Sequence, residues 1–197
     1  MGRHAAAALL AAALAATLAG SPAQQTGHDA AGAGASPHEK AGMSKLDYDL
    51  MDAVSEGETH EVQRLLADGA NVNALNTEGE TPLHVSGIYG AVEPLRLLLK
   101  AGAKVNVQAT GAKSLGLAPL HWFVHGGHKE GTGELLKAGA NVNMIVHDEA
   151  GDELTALDIA RRYAGSGSDR HTAIAALLTG AGGMERDKLP GGKKAEL

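Results

Sequence analysis

One phrase returns along this chain at a nearly constant interval, and no other feature limits its folding so strongly. Asn71-Val72-Asn73 recurs as Lys104-Val105-Asn106 and as Asn141-Val142-Asn143. From Asn73 to Asn106 is 33 residues, and from Asn106 to Asn143 is 37. Thr81-Pro82-Leu83-His84 returns as Ala118-Pro119-Leu120-His121 and then as Thr155-Ala156-Leu157-Asp158. A Leu-Leu pair stands at Leu65-Leu66, Leu98-Leu99, Leu135-Leu136 and Leu177-Leu178. Self-similarity at this period means stacked units, each too small to bury its apolar face alone.

The interior of one unit, 81–106, reads as two short helices. Thr81 is a good N-cap, and Pro82 follows at the first helical position, where a missing N–H costs nothing. Gly90 breaks the pattern. Val92, Leu95, Leu98 and Leu99 then recur at helical spacing, and Gly102 ends the second helix in a left-handed conformation.

These motifs resemble the ankyrin-repeat family, whose signature is a period near 33 residues carrying T-P-L-H-x-A. The resemblance covers residues 45–183. It implies an all-α fold, an ankyrin-repeat solenoid of about four helix-turn-helix repeats with short β-hairpin fingers. It also implies a non-enzymatic scaffold that binds a partner protein through a concave surface of fingers and first helices. Among exported bacterial members, that partner would be periplasmic. Ser86 and Phe123 depart from the pattern, standing where the family has the signature alanine. Tyr48-Asp49-Leu50-Met51 replaces T-P-L-H in the first repeat, and Asp158 replaces the histidine in the fourth.

Outside the repeats the sequence changes character. Residues 1–23 read as a signal peptide: Arg3, an uncharged apolar run from Ala5 to Ala19, then small residues at Ser21-Pro22-Ala23. The run is shorter than the ~20 residues a membrane span needs, so no stable anchor is expected after cleavage. Residues 24–44 read as a disordered linker and 184–197 as a disordered tail, since neither has apolar periodicity. His28 and His38 fall in the linker and read as solvated. The chain has no cysteine, which excludes disulfides and thiolate chemistry. A net charge of −6 argues against nucleic acid, which needs a basic face. The export signature leaves the periplasm and the medium both open.

In the first repeat Leu50, Ala53, Val62, Leu65 and Leu66 form the expected inward stripe. Asp52, Glu56, Glu58 and Glu61 read as the solvated surface of a terminal cap. The second and third fingers, in 109–117 and 146–154, are longer than the first, Asn76–Glu80. Insertions in solenoids map to loops on one face, which is often the binding face; neutral drift in length is the alternative. The second helix of repeat three carries Gly131, Thr132 and Gly133 and should be the weakest.

Three histidines, His121, His125 and His128, could bind zinc from one face of a continuous helix, but Gly126-Gly127 interrupts it. A hydrolase or metal-binding protein using them is the alternative function. No nucleophile stands beside a base in the sequence, so no enzyme activity and no cofactor are expected. Matching positions near the ends of the first helices hold Ile88-Tyr89, His125-Gly126 and Arg162-Tyr163, with Trp122 adjacent. By the resemblance these positions point to the concave surface. The expected protein-binding set is Ile88, Tyr89, Trp122, His125, Arg162 and Tyr163, on a monomer whose partner is unidentified. Two of the chain's three tyrosines fall in it, and Tyr and Arg are enriched among residues that carry binding energy. The alternative is that both tyrosines pack on fingers.

Overall fold

Each pair of helices follows from its local sequence. The computed structural model describes residues 42–111, 115–148 and 150–191. The expected signal peptide, nearly all of the linker and residues 192–197 lie outside them. Among the described residues the helices are α1 (Lys45–Glu56), α2 (Thr59–Ala67), α3 (Pro82–Tyr89), α4 (Val92–Lys100), α5 (Pro119–His125), α6 (Lys129–Lys137), α7 (Ala156–Ala164) and α8 (Asp169–Gly180). Ser44 caps α1 by accepting from the Asp47 N–H at 3.1 Å. Gly90 turns α3 into α4 with φ 70°, and Gly102 ends the α4 turn with φ 88°, conformations that cost glycine little.

Stacking runs in two rows. The first helices α1, α3, α5 and α7 pack in sequence order, and the second helices α2, α4, α6 and α8 do the same behind them. Between the rows lie Leu50, Leu65, Leu83, Leu95, Leu98, Leu120, Leu135, Ile174 and Leu178, each at most 2% exposed. Leu66, expected in this core, is only half-buried because it follows the inward stripe by one residue. The first finger closes with Asn76 N–H on Glu80 O at 3.0 Å. In the third, β1 (Val146–His147) pairs antiparallel with β2 (Glu153–Leu154).

Two side-chain ladders set the register between repeats. The recurring asparagines form one. Asn73 Oδ1 accepts from Lys104 N–H at 2.8 Å, Asn106 Oδ1 from Asn141 N–H at 2.7 Å, and Asn143 Oδ1 from Met184 N–H at 2.7 Å. Asp47 starts the ladder by accepting from Asn71 N–H. Histidines form the other. His84 Nδ1 accepts from Thr81 N–H at 3.0 Å, while its Nε2 donates to Leu117 O at 3.2 Å in the next finger. His121 repeats this with Ala118 N–H and Met144 O. Each imidazole therefore sits between two backbone groups in a site closed to water.

Three expectations are corrected. The Leu-Leu pair of repeat four is shifted by one residue: Leu178, not Leu177, takes the place of Leu65, Leu98 and Leu135. The capping bonds prove it, since Ala70, Ala103, Ala140 and Gly183 donate to Leu65, Leu98, Leu135 and Leu178 respectively. Second, 184–191 is not an unstructured tail. Met184 continues the asparagine ladder, Arg186 N–H donates to Asp158 Oδ2 at 2.9 Å, and a 3₁₀ turn follows over Arg186–Lys188. Asp158 thus bonds this segment as the histidines bond the fingers, and the segment closes the stack. Third, Gly131 is a packing residue and not only a weak point. A Cβ there would collide with the Phe123 ring, and one on Gly87 would come within 2.9 Å of Phe123 Cδ2 and Trp122 Cβ. The oversized Phe123 is seated between two glycines on neighbouring helices. Thr132 is likewise fully buried, its hydroxyl bonded to His128 O at 2.9 Å.

Candidate protein-interaction face

The ends of α3, α5 and α7 carry the expected binding residues, and the structure divides them into groups. Ile88 and Tyr89 are half-buried at the end of α3. Burial raises the Tyr89 phenol above its ordinary range, and the carboxylates of Glu56, Glu80 and Asp52 add to this. Glu80 is 1% exposed, with Oε2 accepting from Asn76 Nδ2 at 3.0 Å.

At the other end, Tyr163 and His125 meet across 38 residues of sequence, Tyr163 Oη lying 2.8 Å from His125 Nε2. The Tyr163 ring stacks on His171 at 4.6 Å between centroids. His171 in turn donates from Nε2 to His125 O, and its Nδ1 lies 2.7 Å from Ser168 Oγ. Burial and the nearby His171 hold His125 below the usual imidazole range. Tyr163 is therefore tied into the joint between repeats three and four. Arg162 is exposed and pairs with Asp148 of the third finger at 3.3 Å.

Trp122 does not belong to the exposed set. It is 4% exposed and lies edge-on to His125 at 6.1 Å. Its place one residue after His121 turns it into the stack, and a partner could touch it only by opening the repeat. Sequence reasoning missed Glu80, Asp148 and His171. Glu80 directly precedes the Thr81 cap, a position that could have drawn notice; the other two join the site only through contacts distant in sequence.

The three histidines of the alternative do not converge. His121 is fully buried between backbone groups, His125 faces Tyr163, and His128 lies edge-on to Phe123. Among the described residues no group of three or more His, Cys, Asp or Glu is placed to hold a metal. Nor is any helix among them long and apolar enough to cross a membrane.

Two rows of paired helices joined by fingers define a repeat solenoid whose accessible groups suit contact with another protein. Comparison with known proteins gives the same class. A sequence profile described as ankyrin repeats (3 copies) matches residues 47–109, and one described as ankyrin repeat matches 115–146. The Notch-regulated ankyrin repeat-containing protein of Xenopus tropicalis is 39% identical over 85 residues, 41% of this chain and 71% of that protein. Its Homo sapiens counterpart matches to the same extent. The Ankyrin repeat and SOCS box protein 16 of Homo sapiens is 36% identical over 139 residues, 70% of this chain and 29% of that one. The chain belongs to the ankyrin-repeat family. It is a protein-interaction scaffold, in a family whose members are typically non-enzymatic.

Proposed function

We propose that this chain is an exported scaffold that binds a partner protein through the face made by its fingers and the ends of its first helices. The carrying observation is the half-buried Tyr89, an aromatic ring left at the surface at the end of α3, whereas Trp122 and Phe123 of the next first helix are buried. An aromatic anchor with a polar tip gives contact area at low entropic cost. Arg162, exposed beside the third finger, extends the face.

The two tyrosines have different expected roles. With a partner recovered by the tagged chain from its own cells, Tyr89→Ala lowers affinity by about 2 kcal/mol, roughly thirtyfold, while the melting temperature moves little. Tyr163→Ala lowers stability as well, because it removes the bond to His125 and the stack on His171. Titration calorimetry beside thermal unfolding separates the two. Unchanged affinity in Tyr89→Ala would move the binding surface elsewhere, with the lengthened fingers next to test.

Export rests on the N-terminal pattern of Arg3, the apolar run and Ser21-Pro22-Ala23. The intact mass of protein taken from outside the inner membrane is expected to begin at Gln24. A product retaining Met1 in the cytoplasm would end the export reading and leave the binding face untouched.

A further inference from the structure

The fingers close on equivalent residues, four positions before His84, His121 and Asp158. Leu117 closes the second finger, its carbonyl accepting from Ala109 N–H at 3.1 Å, and Leu154 closes the third opposite Val146. Glu80 closes the first, its carbonyl accepting from Asn76 N–H. The second and third fingers thus have an apolar pair at the base, Ala109 with Leu117 and Val146 with Leu154. The first has Asn76 with Glu80. The exchange does not carry Glu80 into water: it is 1% exposed, against 8% for Leu117. Leucine gains from such a site, whereas a carboxylate loses its hydration there.

Asn76 satisfies only part of Glu80. Its Nδ2 donates to Oε2 at 3.0 Å, and its Oδ1 accepts from the Glu78 and Glu80 N–H groups. Oε1 has no hydrogen-bond partner. Among the described residues no cation offsets the charge of Glu80, and the charge that acts on it, that of Glu78 in the same finger, is also negative. On α3 the Tyr89 phenol feels Glu80, and burial keeps His84 neutral at pH 7. Burial pushes the Glu80 carboxyl above its ordinary range; the Asn76 bond opposes this and Glu78 adds to it. The second finger rests on this loop. Gly111 N–H donates to Glu78 O at 2.7 Å, and a Cβ on Gly79 would collide with Thr110.

We propose that Glu80 is a pH-operated latch on the first finger: its ionisation raises the fraction of molecules with that finger open, and its protonation shuts the finger against the second. With Glu80 ionised, the closed finger keeps a charged oxygen away from water and from any donor, and opening the base hydrates it. With Glu80 protonated the site holds a neutral group, whose burial costs much less, and the bond from Asn76 remains. Because the closed finger binds the proton more tightly than the open one, the contribution to closure is complete below the ordinary carboxyl value of 4.5. It is lost as pH rises through the higher value in the closed finger. This runs against the buried histidines, which loosen the stack as pH falls. Opening breaks the Gly111–Glu78 bond, so acid tightens the contact between fingers while it weakens the core. The latch belongs to the free chain and stands whether or not the finger face is where a partner binds.

Amide exchange of the full chain with water, read residue by residue by NMR at pH 7, 6 and 5 and divided into the intrinsic rate at each pH, tests the latch. Asn76, Gly79 and Gly111 have N–H groups bonded within or onto the first finger. Their protection is expected to rise about fivefold or more from pH 7 to 5, relative to Ala109 at the base of the second finger. Glu80→Gln carries the same histidines, so its comparison with the parent isolates the carboxyl. It should hold the first finger at pH 7 as tightly as the parent does at pH 5, with no change in protection relative to Ala109 across the range. Glu80→Leu, which places the residue of the other two fingers at this base, should do the same and guards against a poor fit of the amide. Glu78→Gln removes the neighbouring charge, keeps the unpartnered oxygen and should retain the rise. An equal rise in Glu80→Gln and Glu80→Leu, or no rise in the parent, would overturn the latch. So would loss of the rise in Glu78→Gln, or a parent finger as protected at pH 7 as in both Glu80 variants.

Discussion

Acidification from pH 6.5 to 4 is expected to remove several kcal/mol from the stability of the repeat stack. The cause lies in His84 and His121, both fully buried. Burial lowers the pKa of each to about 4 from an unfolded value of 6.5. Each Nδ1 already accepts a backbone N–H, so a second ring proton would face a donor. Above pH 6.5 neither state binds the proton, and the contribution is intact. As pH falls from 6.5 toward 4, the unfolded chain takes up protons that the native chain refuses, and stability drops. The loss is about 3 kcal/mol per histidine, complete near pH 4. His125 and His128 are depressed in the same direction and add to it. Glu80 acts oppositely: its raised carboxyl favours the native state as pH falls through its folded value. Urea unfolding at pH 7, 6, 5 and 4 measures the slope. A His84→Gln/His121→Gln variant should start less stable at pH 7 and show a much flatter slope. An unchanged slope in that variant would move the acid sensitivity to other groups.

The second large effect concerns Phe123 and the two glycines that make room for it. Phe123→Ala is expected to cost about 3–5 kcal/mol, the cost of an emptied ring site in a closed core. Gly131→Ala in the parent is expected to cost about 1–3 kcal/mol by overpacking, since its methyl would collide with the ring. That cost outweighs the ~1 kcal/mol by which alanine is the better helix former. In the Phe123→Ala background the sign reverses. The methyl then enters vacated space and the helix gain is kept, so the double variant should be more stable than Phe123→Ala alone. Chemical denaturation of the four proteins completes the cycle. Simple additivity would mean that Phe123 and Gly131 do not sense each other.

The repeat architecture was legible because its determinants are local. Thr81-Pro82, Gly90 and Gly102 state the ends of helices within one unit, and the recurrence of Asn-Val-Asn states that units stack. The interaction face was only partly legible. Tyr89's half-buried place at the end of α3 agrees with its position in the repeat, yet Trp122, one residue after an aligned histidine, was placed on the face although it lies inside. Alignment finds a position in the unit; it does not say how far a larger side chain turns into the neighbouring unit.

Sequence alone determined the helix pairs, the order of stacking and the asparagine and histidine positions, since each depends on caps and spacing within about one period. Tertiary structure decided the rest. Phe123 fits because Gly87 and Gly131 face it from other helices. Tyr163 joins His125 because two repeats meet there. Residues 184–191 close the stack because Asn143 and Asp158 present acceptors to them. In each case the physical term is burial or a bond between distant residues, and neither exists until the repeats have stacked.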